Sequence, residues 1–226
     1  MSDNPFKPLV LAGGKATRMG MPKHLLQMPN GETLLQHISS VLYQACGSPE
    51  KVYMSVALES QIGSMTGDVS YISEFIFDSE ANTTSASAGP VAGLLAAHRT
   101  DPEATWLVAA CDYPLLTDHA LRYLCNSYRP PVTCFKNREG YHVPVVAIWS
   151  PIALKELAEE AAVGNRSLAA VIKKINGTAV ECLPSCEDWL SDVNTKEDWE
   201  EITNVLLGGR RTESTITDLY AGSALR

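Results

Sequence analysis

Strand-like and helix-like apolar patterns alternate along almost the whole chain, and this alternation restricts the fold more than any other feature. Val52, Met54, Val56 and Leu58 occupy every second position of Lys51–Leu58, the period of a strand. Leu34, Leu35, Ile38, Val41, Leu42 and Ala45 follow helical spacing within residues 32–46, and Gly47 is a natural stop. Thr105–Cys111 is a continuous apolar run, as a strand covered on both faces requires. The same reading places strands at 8–12, 73–77, 132–135, 143–149 and 178–183, and helices at 90–98, 117–127, 151–162, 167–175 and 195–207. The pattern predicts an α/β fold in three layers, a mostly parallel sheet with helices on both faces. Residues 1–207 are expected to form one domain. From Gly208 the chain turns polar and loses periodicity, so 208–226 is expected to be a disordered tail.

The charge balance narrows the function. With 26 acidic against 18 basic residues the net charge is −8, which argues against general nucleic-acid binding, where a basic face neutralises phosphates. A small anionic substrate stays compatible, because a few cations can dominate one cleft. No apolar run approaches the roughly 20 residues that span a bilayer, and Met1-Ser2-Asp3-Asn4-Pro5 lacks the regions of a signal peptide. The expectation is a soluble, cytoplasmic protein with no membrane partner. The six cysteines, at 46, 111, 125, 134, 182 and 186, form no Cys-x-x-Cys pair and read as ordinary thiols in a reducing compartment.

Ligands of parallel sheets bind beyond the carboxyl ends of the strands, so the loops after Leu11, Phe77 and Cys111 carry the functional expectation. In the first loop, Gly13 and Gly14 let backbone N–H groups approach a phosphate or a base, while Arg18 and Lys23 add two cations. Two familiar phosphate motifs are excluded. A P-loop counted from Gly14 needs glycine where Met19 stands, and Gly20 is followed by Met21; Gly-x-Gly-x-x-Gly is absent too. A structural turn with surface cations stays open for this loop. The third loop contains Asp112 at the end of the buried run, where a carboxylate is costly unless it is paired, capping or bound to a hard cation such as Mg²⁺. Capping by Asp112 is the weaker reading, because Thr117 stands closer to the next helix. Asp192 and Asn194 alternate along an extended segment, share a face and could complete a Mg²⁺ site with Asp112. Thr195 reads as a helix cap.

Taken in order, these segments resemble the MobA-like nucleotidyltransferase family. Leu11–Gly20 followed by Lys23 matches its opening motif, and Asp78-Ser79 with Gly89-Pro90-Val91-Ala92-Gly93 matches a later one. Cys111–Pro114 corresponds to its Cys-Asp-x-Pro, and Asp192–Asp198 to its closing motif, with Lys196 where the family has proline. The resemblance covers residues 7–207 and implies a Rossmann-like nucleotidyltransferase fold. It implies backbone contacts of Leu11, Ala12, Gly13 and Gly14 to the nucleotide, a triphosphate held by Arg18 and Lys23, and a nucleoside contact by Asp78. It implies Mg²⁺ on Asp112, with Asn194 as the second ligand and Asp192 the alternative, and an acceptor near His142 and Arg166. Arg18, Lys23 and Asp112 are then the catalytic set.

By the same resemblance, Gly13-Gly14 favours GTP over CTP, and the expected reaction moves GMP from GTP to the phosphate of molybdopterin with release of pyrophosphate. Two alternatives stand beside it. One is a transferase of the same fold acting on a sugar phosphate or another phosphorylated metabolite. The other is a nucleotide-binding regulator without turnover. Oligomeric state has no sequence signature here.

Overall fold

A computed structural model of the chain describes residues 5–12, 22–49, 51–57, 71–77, 89–182 and 188–208. In chain order its elements are β1 (Phe6–Leu11), a 3-10 turn (Lys23–Leu25), α1 (Leu34–Ala45), β2 (Val52–Val56), β3 (Ile72–Phe77), α2 (Pro90–Thr100) and β4 (Thr105–Ala110). They continue with α3 (Asp118–Asn126), β5 (Val132–Lys136), β6 (His142–Trp149), α4 (Pro151–Ala162), α5 (Leu168–Lys174), β7 (Thr178–Glu181) and α6 (Lys196–Gly208). α6 takes in Gly208, the first residue of the expected tail; 209–226 lie outside the described residues.

The strands form one sheet in the order β3-β2-β1-β4-β6-β5-β7. β6 is antiparallel to both β4 and β5, and every other neighbouring pair is parallel. The reversal follows from the short β5–β6 link. Asn137 N–H donates to Tyr141 O at 2.9 Å, and Gly140, at φ +87°, makes the turn that brings the chain straight back. A parallel neighbour would have needed a long crossover.

α1 and α3 pack together over one face, while α2, α4 and α5 cover the other. This explains the unbroken apolar run of β4, whose Trp106, Leu107, Val108 and Ala109 are all fully buried between the two layers. Side-chain caps begin the helices where the sequence placed polar residues. Thr33 forms a capping box with Gln36, and the Thr117 hydroxyl accepts from Ala120 N–H at 3.2 Å. Cys46, Cys111 and Cys134 are buried, and burial pushes each thiol up to about 12. They are packing residues, as their spacing suggested.

A second, smaller core lies apart from the main one. Leu26, Met28, Leu34, Val193 and Ile202 form it, with Leu115, Trp199 and Leu206 packed against them. It ties the segment after the 3-10 turn, the start of α1 and helix α6 into one unit beside the end of β4. No helix among the described residues is long and apolar enough to cross a membrane.

Candidate active site

β1 and β4 are adjacent, with Leu11 aligned to Ala110. From β1 the chain leaves through α1 toward β2; from β4 it leaves through α3 toward the opposite side of the sheet. The two connections diverge, and a crevice opens between the carboxyl ends of β1 and β4. Ladder hydrogen bonds run one residue past each strand. Ala12 N–H donates to Ser55 O at 3.2 Å, and Cys111 N–H to Leu11 O at 3.1 Å. The next residue, Asp112, is thereby set on the rim of the crevice.

Two distant segments converge on Asp112. The Lys23 ammonium lies 3.3 Å from Asp112 Oδ2 and 2.7 Å from Asn194 Oδ1. Asn194 Nδ2 in turn donates to Asp192 Oδ2 at 2.6 Å. The amide orientation is set from both ends, since an ammonium can only donate and a carboxylate only accept. The carbonyl oxygen of Asn194 therefore faces the Lys23 ammonium, and its nitrogen faces Asp192.

Local chemistry explains why residues 192–194 lie there. Val193 points away from the crevice into the small core and is fully buried, and its N–H donates to Asp112 O at 2.9 Å. Strand alternation then turns Asp192 and Asn194 outward together. The Asp198 carboxylate accepts from both Asn194 N–H and Thr195 N–H at 2.8 Å, while Thr195 Oγ1 accepts from Asp198 N–H at 3.1 Å. Those two backbone donors hold the Asp198 carboxyl below its ordinary range. Thr195 is the cap its sequence suggested, and its partner Asp198, not expected at the site, braces the backbone of Asn194. The Thr-x-x-Asp spacing was the available signal.

Asp112 is electrostatically loaded. Burial raises its carboxyl above the ordinary range, Lys23 opposes the rise, and Asp192 adds to it. Its Oδ1 is buried with no hydrogen-bond partner among the described residues. Neighbouring Tyr113 is likewise raised by burial, with Asp112 and Asp192 adding to the effect.

Lys23, Asp112, Asp192 and Asn194 thus stand together, and Leu11 and Ala12 are buried at the end of β1. Gly13, Gly14, Arg18 and Asp78 lie outside the described residues. His142 opens β6 opposite Lys136, on the same sheet edge as Asp112 because β6 is reversed. Arg166 is exposed in the α4–α5 link, which Asn165 steadies by donating to Glu160 Oε2 at 2.6 Å. No hydrogen bond or ion pair among the described residues joins His142 or Arg166 to the Lys23 group.

One structural requirement was not visible in the sequence. A Cβ on Gly93 of α2 would lie 2.4 Å from Ser55 Oγ and 2.7 Å from Leu11 Cδ2. Gly93 lets α2 approach the ends of β1 and β2. Gly89, at φ +62°, turns the chain into that helix.

The fold is an α/β sheet of mostly parallel strands with a Lys23–Asp112–Asn194 cluster at its switch point. A profile of the MobA-like NTP transferase domain matches residues 8–179, and the chain belongs to that family. It is 24% identical over 205 residues to the molybdenum cofactor biosynthesis bifunctional protein of Synechocystis sp., covering 89% of this chain and 55% of that one. The chain therefore spans about half the length of that relative. It is 26% identical over 201 residues to the molybdenum cofactor guanylyltransferase of Pseudomonas putida, covering 85% and 95%. Among solved structures, molybdopterin-guanine dinucleotide biosynthesis protein A from Archaeoglobus fulgidus superposes with a TM-score of 0.69 at 22% identity, covering 90% of this chain and 100% of that one. At that identity the likeness is one of fold.

Proposed function

We propose that this chain transfers GMP from GTP to the phosphate of molybdopterin, releasing pyrophosphate. The observation that carries the proposal is the meeting of Lys23, Asp112 and Asn194 at the switch point of the sheet. The names of the relatives supply donor and acceptor.

The reaction is a substitution at the α-phosphorus. An acceptor phosphate oxygen forms the new P–O bond, the bond to the bridging oxygen of the β-phosphate breaks, and pyrophosphate leaves with that electron pair. The nucleophile is an anion at neutral pH, so the protein supplies alignment and charge compensation rather than a base. Lys23 and Arg18 neutralise the triphosphate and the departing pyrophosphate. Leu11 to Gly14 carry the nucleotide through their backbone, and Asp78 contacts the nucleoside. His142 and Arg166 face the acceptor from the β6 side.

The rim also fits Mg²⁺. Among the described residues Asp112 Oδ1 is buried without a donor, and Asn194 turns its oxygen toward the ammonium that contacts the same carboxylate. Oxygen donors of this kind suit a hard cation, and Mg²⁺ typically takes few protein ligands beside substrate phosphates. Asp112 and Asn194 would hold it, with Asp192 orienting Asn194. When bound, the ion supplies positive charge to the phosphate oxygens around the reacting phosphorus.

The test is mass-resolved product analysis with GTP, Mg²⁺ and molybdopterin. A guanylylated pterin and one pyrophosphate per turnover are expected, and Asp112→Ala is expected to lower the rate by on the order of 10²–10³. A guanylylated sugar phosphate in place of the pterin would reassign the acceptor. Tight GTP binding with no pyrophosphate release would make the chain a nucleotide-binding regulator.

A further inference from the structure

Lys23 bridges the two side chains read above as cation ligands. Its ammonium contacts Asn194 Oδ1 at 2.7 Å and Asp112 Oδ2 at 3.3 Å. A divalent ion held by the same carboxylate and amide oxygen would compete with the ammonium for them, and two positive charges that close repel. Ion and ammonium are therefore rivals for one place. The ammonium reaches only Oδ2, and among the described residues the buried Asp112 Oδ1 has no donor, so the lysine engages half of the carboxylate.

The backbone beneath Lys23 is held in place. Lys23 O accepts from Leu26 N–H at 3.0 Å, and Leu26 is buried in the small core. Exchange then requires motion of the side chain alone. A lysine suits this, being a compact charge on a flexible four-carbon stem.

We propose that Lys23 is an internal counter-ion, holding the cation position between Asp112 and Asn194 until a nucleoside triphosphate and its divalent ion arrive. The incoming ion displaces the ammonium, and the triphosphate offers it new oxygens. The site is thereby kept from capturing a bare divalent cation, and metal and nucleotide bind cooperatively, each raising the affinity for the other. The inference rests on the reading of Asp112 and Asn194 as the metal ligands.

The experiment titrates the full chain with Mn²⁺ in the absence of nucleotide, following free Mn²⁺ by its electron paramagnetic resonance. Lys23→Met, which keeps length but not charge, is expected to bind about tenfold more tightly than wild type. That lies between the near-nil coupling of a fully exposed pair and the large coupling of a dry one. Lys23→Gln repeats the measurement, so a packing defect peculiar to methionine cannot decide the result. Lys23→Arg keeps the charge and should bind as weakly as wild type. Adding Asp112→Asn to Lys23→Met should abolish the gain. If Lys23→Met and Lys23→Gln bind no tighter than wild type while Asp112→Asn still weakens binding, the counter-ion role is wrong and the metal site stands. If Asp112→Asn leaves Mn²⁺ binding by Lys23→Met unchanged, the metal site itself is misassigned and the counter-ion role falls with it.

Discussion

Asn194 illustrates how far one side chain's role depends on its neighbours. Its amide oxygen faces the Lys23 ammonium because its nitrogen is engaged by Asp192. Asp192 is accordingly a positioning residue. Asp192→Ala is expected to lower kcat by about 10–100-fold, the range seen when the partner of a metal ligand is removed. Asn194→Ala should cost more, and steady-state kinetics of the two variants side by side checks the order. His37 makes a different point, about pH. Burial lowers its pKa below 6.5, against the opposing effects of the Leu116 carbonyl it contacts and of Glu32. A carbonyl only accepts, so the neutral ring donates from Nε2 at 3.0 Å. Because the folded value is depressed, the stabilisation is present above about 6.5 and is lost as pH falls through the folded value. The wild-type melting temperature should therefore drop on acidification below pH 6.5, and His37→Gln should flatten that drop.

Helices α2 and α6 buttress the site without supplying the reacting groups. Gly93→Ala forces a Cβ against Ser55 and Leu11 at distances no ordinary contact allows. Overpacking of this kind costs about 1–3 kcal/mol, and a calorimetric scan should show a lower melting temperature together with a raised KM for nucleotide, because Leu11 ends the strand that feeds the crevice. In α6, Thr195→Ala removes the hydroxyl that caps Asp198 N–H. A lost cap costs about 1 kcal/mol. The same change loosens the turn on which Asn194 sits, so kcat should fall although Thr195 touches no substrate. The small core around Val193 and Ile202 explains the linkage: α6 and the closing motif are packed as one piece.

Ligand binding at the crevice should be felt by the whole chain. A ligand at 100 times its Kd stabilises the folded state by about 2.7 kcal/mol, which for a chain of this size is a rise of roughly 5–10 °C in Tm. GTP with Mg²⁺ should produce such a rise in wild type, and Asp112→Ala should lose most of it. Much of this architecture was legible beforehand, because strand and helix periods, caps such as Thr33 and Thr117, and the order of the motif-bearing loops are local properties of the chain. The reversal of β6 was less legible, since strand direction has no period of its own and is decided by the length of the connecting turn. Asp112 had no cation near it in sequence. Its partner Lys23 is 89 residues away, and Asn194, on the far side of that lysine, is 171 residues from it. The amino-acid sequence by itself determined which residue types were available and on which loops they stood. Only the tertiary structure decided that these three meet, because that depends on β1 lying beside β4 in one register and on Val193 burying itself where its neighbours must face the crevice.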